Sequence, residues 1–271
     1  MPSAACGVYG MKPTHGLVPD TGILSFYPAI DHTGPMTASV GDNALFLEVL
    51  AGPDGIDPRQ GGASVQPYRE ALGRGVSGLR IGVLEEGFGH TGLSEPEVDE
   101  RVMAACDRFR ALGANVEEVL VPLHRPRLHT LGRLSAVAEN VFTMDGHGVG
   151  ANGLHVPGFL EAQAHWRDRR DDLPPTVKLL LIYHEVLRSR HGYRMYALGA
   201  NRVSRLRAAY DRALESVDLL LLPTVPFKPR PLPGEDAPPA EPGRTPRHCR
   251  RLHWGALFSV WTEVDLTASP A

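Results

Sequence analysis

Apolar positions recur at helical spacing in three stretches of this chain and run together as strands in three others. Val40, Ala44, Leu47 and Ala51 share one face of a helix predicted over about 40–51. Ser39 with Asp42 resembles a capping arrangement, and Gly52 is a natural stop. Residues 79–84 read as a mostly buried strand. A helix then opens at Ser94, with Glu97 completing a capping box, and carries a stripe of Val98, Val102, Ala105, Phe109 and Leu112 before Gly113 ends it. Residues 116–121 form the next strand, so that strand, helix and strand make a βαβ unit with a parallel pair. A long helix over about 193–216 lines one face with Tyr196, Ala200, Val203, Leu206, Tyr210, Ala213 and Leu214. Residues 218–222 are a short apolar strand closed by Pro223.

The stretches between these elements differ in character. Gly7, Gly10, Gly16, Gly22 and Gly34 punctuate short apolar pieces in the first sixty residues, a pattern of short strands and tight turns. Positive φ or close chain approach is expected at Gly7, Gly10, Gly16 and Gly34. Residues from about 126 to 190 carry charge clusters without period-two alternation and read as an inserted, mainly helical region. Nine prolines between Pro223 and Pro246 rule out regular structure there and leave an extended connector. The last residues, 248–271, return to apolar positions.

Composition narrows the functional classes. The 271 residues carry a formal net charge of -3, which argues against a nucleic-acid partner, since that needs a basic face. No run of eighteen apolar residues occurs, so no transmembrane helix is expected, and the N-terminus lacks the basic and apolar regions of a secretory signal. Three cysteines, Cys6, Cys106 and Cys249, are too few and scattered for a disulfide framework and fit a reducing cytoplasm.

Several motifs in order resemble the amidase signature family. Cys6-Gly7-Val8-Tyr9-Gly10-Met11-Lys12-Pro13-Thr14, followed by Gly16-Leu17-Val18-Pro19, is similar to the stretch that follows that family's catalytic serine. Asp31-His32-Thr33-Gly34-Pro35-Met36-Thr37, then Val40, Asp42 and Ala44-Leu45, and then Asp54, Asp57 and Pro58, continue the likeness. So do Ala208-Ala209-Tyr210-Asp211 and the run from Asp218 to Thr224. The insert is most similar to bacterial amidases found beside nitrile hydratases. The resemblance implies an α/β fold, part of the amidase-signature fold, with a mixed sheet flanked by helices. It divides the chain into a core part over 1–125 truncated at its N-terminus, a mainly helical insert over 126–192, and a core helix and strand with a proline-rich connector and truncated end over 193–271. It implies hydrolysis of a small carboxamide to an acid and ammonia or an amine, without a cofactor or metal. The family's serine nucleophile is activated by a lysine through a bridging serine, and backbone N–H groups of a glycine-rich loop hold the oxyanion.

Against that pattern no catalytic residue maps onto this sequence. The family reads Gly-Gly-Ser-Ile/Val-Arg-x-Pro at the nucleophile; Pro2 matches the last position and Met1 the one before, which places the nucleophile three residues upstream of Met1. The bridging serine and the lysine belong earlier still. At the other end Asp265, Thr267, Pro270 and Ala271 match a region from which the family continues into another strand, while residues 248–260 match poorly. The chain alone is therefore expected to be inactive, the alternative being a non-catalytic binding protein or gene remnant. Loss of sheet partners is expected to leave it marginally stable and prone to self-association through exposed core.

Other residues invite functional readings that plainer ones outweigh. Asp31 and His32 are candidates for the margin of a substrate pocket, although a turn pinned by side-chain bonds to backbone N–H accounts for them equally in type and better in frequency. Ser3 lies near the nucleophile's place but has no base at a motif-defined spacing, and Lys12 reads as a loop-pinning residue. His248, Cys249 and His253 lack the second cysteine pair of a zinc site. His147 and His155 fit a solvated loop, and Trp166 with Arg167, Arg169 and Arg170 fits a helix face.

Overall fold

The computed structural model describes residues 2–23, 31–62, 64–125 and 153–229. The first part of the insert, the proline-rich connector beyond Lys228 and Pro229, and the last apolar stretch lie outside the described residues, as do His147, His248, Cys249 and His253.

The fold is α/β, and its three longest strands form a parallel sheet. β3 (Arg80–Leu84) lies between β4 (Asn115–Val119) and β5 (Leu219–Leu221). Its register pairs Ile81 with Val116 and with Leu219. Ile81, Val83 and Leu84 are buried, so both faces of β3 are covered, as a central parallel strand requires. The register with β5 is latched at one end. Asp218 accepts the Arg80 N–H at 2.8 Å and a guanidinium N–H at 2.7 Å, and its own N–H donates to the Arg80 carbonyl at 2.8 Å.

Helix α4 (Pro96–Ala111) connects β3 to β4. It starts two residues later than the sequence suggests, and the capping box does not form. Pro96, preset for helical φ and lacking an N–H, takes the first turn, while Ser94 Oγ accepts the His90 N–H at 2.9 Å. Glu97 is drawn outward to Lys228 Nζ at 2.5 Å. The stripe also ends early. Cys106 is fully buried in it, whereas Leu112, past the last helical turn, is 63% exposed.

The described part of the region between β4 and the long helix before β5 holds α5 (Pro157–Ala164), a 3-10 segment (Trp166–Asp172) and α6 (Pro175–His191). Arg167 stacks over the Trp166 ring at 4.7 Å, a local cation–π pair. Then α7 (Arg194–Leu214) buries Tyr210 against Leu84 and Val121, with Leu206, Ala209, Ala213, Leu220 and Leu222 around them. Fully burying a side chain such as Leu84 or Val121 contributes about 1.5–3 kcal/mol.

The N-terminal residues form a smaller unit. α1 (Pro2–Cys6) precedes β1 (Tyr9–Gly10), which pairs antiparallel with β2 (Met36–Thr37). α2 (Val40–Leu50) begins at Ser39, whose Oγ accepts the Asp42 N–H at 3.0 Å as the sequence predicts. Ala44 and Leu47 are buried on its inner face, but Val40, in the first turn, is 48% exposed. Asn43 is buried with them and ties the helix to the strands, its amide donating to the Pro35 carbonyl at 3.2 Å and to Thr37 Oγ1 at 3.1 Å. The short α3 (Tyr68–Ala71) is fastened to α2 by Arg69 and Glu48 at 2.8 Å.

One position tests the packing of the sheet. At Gly82 a Cβ would lie 2.6 Å from Val119 Cγ2 and 3.1 Å from Leu220 Cδ2 and Val217 Cγ2. Gly82→Ala is expected to destabilise the chain by about 1–3 kcal/mol in urea unfolding, because the neighbouring strands must move apart.

Candidate functional site

Asp31 and His32 stand where three loops converge, and glycine makes the convergence feasible. Gly34 runs so close to the Met11 carbonyl that a Cβ would collide with it. Gly16 has φ +79 and passes the Arg59 carbonyl with no room for a side chain. Gln60 spans the same gap, its amide donating to the Gly52 carbonyl at 2.7 Å and to the Gly16 carbonyl at 3.1 Å.

Arg59 holds the loops together. Its guanidinium meets Asp20 and Asp57 at 2.5 Å each and donates to the Asp31 carbonyl at 3.2 Å. Asp57 Oδ2 also accepts the Asp20 N–H at 2.8 Å, and Thr33 Oγ1 donates to Asp20 at 2.6 Å. The Asp57 side chain is only 4% exposed. Hydrogen bonding from the Arg59 side chain holds the Asp57 carboxyl far below the usual carboxylate range, outweighing the opposing effect of burial. Asp57, then Asp20, in turn raise the Arg59 guanidinium above its ordinary value. Arg59 fixes the Asp31 backbone through its carbonyl, a contact that uses the main chain of Asp31 and not its side chain.

His32 faces the other way. Its Nε2 lies 3.2 Å from Lys12 Nζ, and its ring packs edge-on to His15 with centroids 5.1 Å apart. Lys12 also donates to the Pro13 carbonyl at 3.3 Å. As an ammonium, Lys12 can only donate, so this contact takes His32 as the acceptor with its proton on Nδ1. The arrangement brings the Lys12 ammonium together with the imidazoles of His32 and His15, with the anchored Asp31 backbone directly before His32. Ser3 is buried in α1, its Oγ directly beneath Gly10, and is closed off from an incoming substrate. Among the described residues no group of three His, Cys, Asp or Glu could hold a metal ion.

A second cluster lies at the carboxyl end of the parallel strands. His124 Nδ1 and the Tyr210 hydroxyl are 2.5 Å apart, and the buried Glu86 accepts the Val121 N–H at 2.8 Å. Burial, and then the Glu86 charge, push the Tyr210 phenol up to about 12. A phenol so placed stays protonated at neutral pH and is a hydrogen-bonding partner rather than a base. Sequence reasoning found Tyr210 as a core position but missed His124, Glu86 and Arg59. Arg59 had one signal, its place directly after the Asp54-x-x-Asp57-Pro58 pattern.

Known proteins share this arrangement of elements. The family described as Amidase matches residues 1–247. The chain is 36% identical over 249 residues to an enantioselective amidase of Rhodococcus rhodochrous, covering 89% of this chain and 47% of that protein. It is 37% identical over 226 residues to a glutamyl-tRNA(Gln) amidotransferase subunit of Moorella thermoacetica, covering 83% and 46%. Among solved structures, the corresponding glutamyl-tRNA(Gln) amidotransferase subunit from Thermotoga maritima superposes with a TM-score of 0.58 at 25% identity, over 96% of this chain and 48% of that one. A bacterial aryl acylamidase of the amidase signature family gives 0.66 at 22% identity, over 95% and 51%. The chain thus spans about half the length of the relatives it matches.

Three expectations follow from the geometry and its electrostatics. Arg59→Ala leaves two carboxylates facing each other and is expected to cost about 3 kcal/mol, with Arg59→Lys recovering part of it, in chemical denaturation. Because the folded Asp57 carboxyl is depressed, its stabilisation is present above the unfolded carboxylate range and is lost as pH falls below about 4. Acid unfolding of Asp57→Asn should therefore be less steep than that of the parent in that window. For Tyr210 the sign is opposite: its folded pKa is raised, so its contribution is complete below about 10 and is lost as pH rises through about 12. Burial also raises the Tyr183 phenol, so ultraviolet titration of the seven tyrosines should show a phenol near 12 that is the one lost in Tyr210→Phe.

Proposed function

The chain belongs to the amidase family, and from that premise we propose that it is part of a hydrolase that cleaves the C–N bond of a small carboxamide. The products are a carboxylic acid and ammonia or an amine. The match of residues 1–247 to the family, with a named amidase at 36% identity, carries this reading. The relatives named as amidotransferase subunits point to the same amide group and widen the choice of what becomes of its nitrogen.

We further propose that the 271 residues alone do not turn over substrate. Acyl transfer needs a nucleophile that a substrate can reach and a group to take its proton. The motif pattern assigns no residue of this sequence to either task, and Ser3, the serine nearest the expected position, is buried beneath Gly10. In this reading Asp31 and His32 form the margin of a pocket whose reacting groups come from another part of the fold. The division into a core part over 1–125, a helical insert over 126–192 and a final part over 193–271 is retained as part of the proposal, as is a cytoplasmic location. No helix among the described residues is long and apolar enough to cross a membrane.

Ammonia release from simple aliphatic and aromatic carboxamides tests both statements. The purified chain is expected to give none above buffer. Turnover that survives Ser3→Ala, or a covalent acyl adduct found by mass spectrometry on any residue of the chain, would overturn the inactivity. A chimera joining this chain to the segment of the Rhodococcus rhodochrous amidase that it does not match is expected to release ammonia. A folded but inert chimera counts against the hydrolase assignment.

A further inference from the structure

Asp54 is followed by Gly55, and both are exposed at the start of the turn that carries Asp57 and Arg59. Glycine has no side chain to shield its backbone nitrogen, so the carboxyl of a preceding aspartate can reach that nitrogen. Gly55 has φ +73, and a Cβ built on it would meet nothing within 4 Å, so no neighbouring group screens the bond.

The turn nevertheless holds the carboxyl. Asp54 Oδ1 accepts the Ile56 N–H at 2.8 Å and the Asp57 N–H at 2.9 Å. The Asp54 N–H donates to Gln60 Oε1 at 2.9 Å. One of the two N–H groups on Asp54 thus belongs to Asp57, the residue whose own carboxylate is gripped by Arg59 and by the Asp20 N–H. A reactive dipeptide is tied to the hub of the N-terminal loops.

We propose that Asp54–Gly55 is a site of spontaneous isomerisation to isoaspartate, and that the Arg59 hub sets its rate. The Gly55 nitrogen attacks Asp54 Cγ. A C–N bond forms, the C–OH bond of the protonated carboxyl breaks, and the amide proton leaves with the hydroxyl as one water, giving a five-membered succinimide. One water then adds at the Asp54 backbone carbonyl carbon and breaks its bond to the Gly55 nitrogen. The old main-chain carbonyl becomes a free carboxylate, and the chain runs on through Cγ with its composition unchanged. The main chain is then one carbon longer ahead of Asp57, which draws that residue out of register with Arg59 and Asp20. The inference concerns the loop and not turnover, so it stands or falls apart from the amidase reading.

Ring closure requires the carboxyl carbon to swing onto the Gly55 nitrogen and away from the Ile56 and Asp57 N–H groups, so it proceeds from a locally opened turn. Hydrogen bonds to a charged acceptor are among the strong ones, and giving up two should slow the reaction about ten-fold or more relative to an unrestrained peptide. Removing the Arg59 guanidinium frees Asp57 and weakens one of those two holds.

The test is an ageing experiment on the full 271-residue chain, with a synthetic peptide of residues 50–61 as the unrestrained reference. Samples taken over time at neutral pH are digested with a protease that cuts before aspartate and skips isoaspartate. Mass spectrometry then reads the fraction left uncut before residue 54. That fraction should grow about ten-fold or more slowly in the chain than in the peptide. Arg59→Ala should move the chain's rate several-fold toward the peptide's, and Arg59→Lys, which keeps a charge but not the fork, should fall between. Asp145–Gly146 carries the same dipeptide elsewhere in the sequence and is read in the same digest. Its rate should not follow the Arg59 variants. Absence of isoaspartate at residue 54 from both the parent and Arg59→Ala, over a period in which the peptide converts, overturns the site. A parent that converts as fast as the peptide, or equal rates in the parent and Arg59→Ala, overturns the control by the hub. Parallel acceleration at residues 54 and 145 in both Arg59 variants assigns the change to general unfolding and overturns that control as well.

Discussion

Arg59 sits between two carboxylates that reach it from separate turns, and the loops of the N-terminal unit depend on that contact. The guanidinium is planar and carries donors on two edges, so it can engage Asp57 through one edge and Asp20 through another while still reaching the Asp31 carbonyl. A lysine at the same place would be a point charge and could not set three directions at once. The backbone must come close for this to work, which explains why Gly16 and Gly34 occupy the two positions where a side chain would obstruct it. Asp31 and His32 inherit their placement from this hub. At the pocket margin proposed for them, positioned backbone comes first and side-chain chemistry second.

The extent to which the fold was legible follows from the kind of interaction involved. Helices α2, α4 and α7 and strands β3, β4 and β5 all stand within a few residues of their predicted bounds, because periodicity and breaker residues are local properties. The deviations are equally physical. The predicted capping box failed since Glu97 found a cation 131 residues away, a partner no local rule can see. Leu112 and Val40 left the buried stripes because each lies at a helix end, where the chain departs from the helical path or the core. Cys106 was absent from the predicted stripe although it is wholly buried, as small sulfur residues often are.

The candidate site was less legible than the fold. Asp31 and His32 could be picked out, but Arg59, Asp20, Lys12 and His15 are scattered through the first sixty residues and share no spacing rule. The His124–Tyr210 pair is separated still further, by 86 positions. Recognition of the family filled part of this gap, since the motif around Lys12 and the one around Asp31 were read as parts of one structure, and they do meet.

The latch between Arg80 and Asp218 has a consequence for how the sheet assembles. The two residues are 138 positions apart, whereas β3 and β4 are joined by a single helix. Closing a loop of that length costs more chain entropy than closing the βαβ unit, and non-local parallel pairing is slow. During synthesis at about 5–20 residues per second, β3 emerges several seconds or more before β5 exists to meet it. For that interval the β5 side of the central strand lacks its partner, so the order in which the strands are synthesised, and not the stability of the finished ladder, sets when this side of the sheet can close.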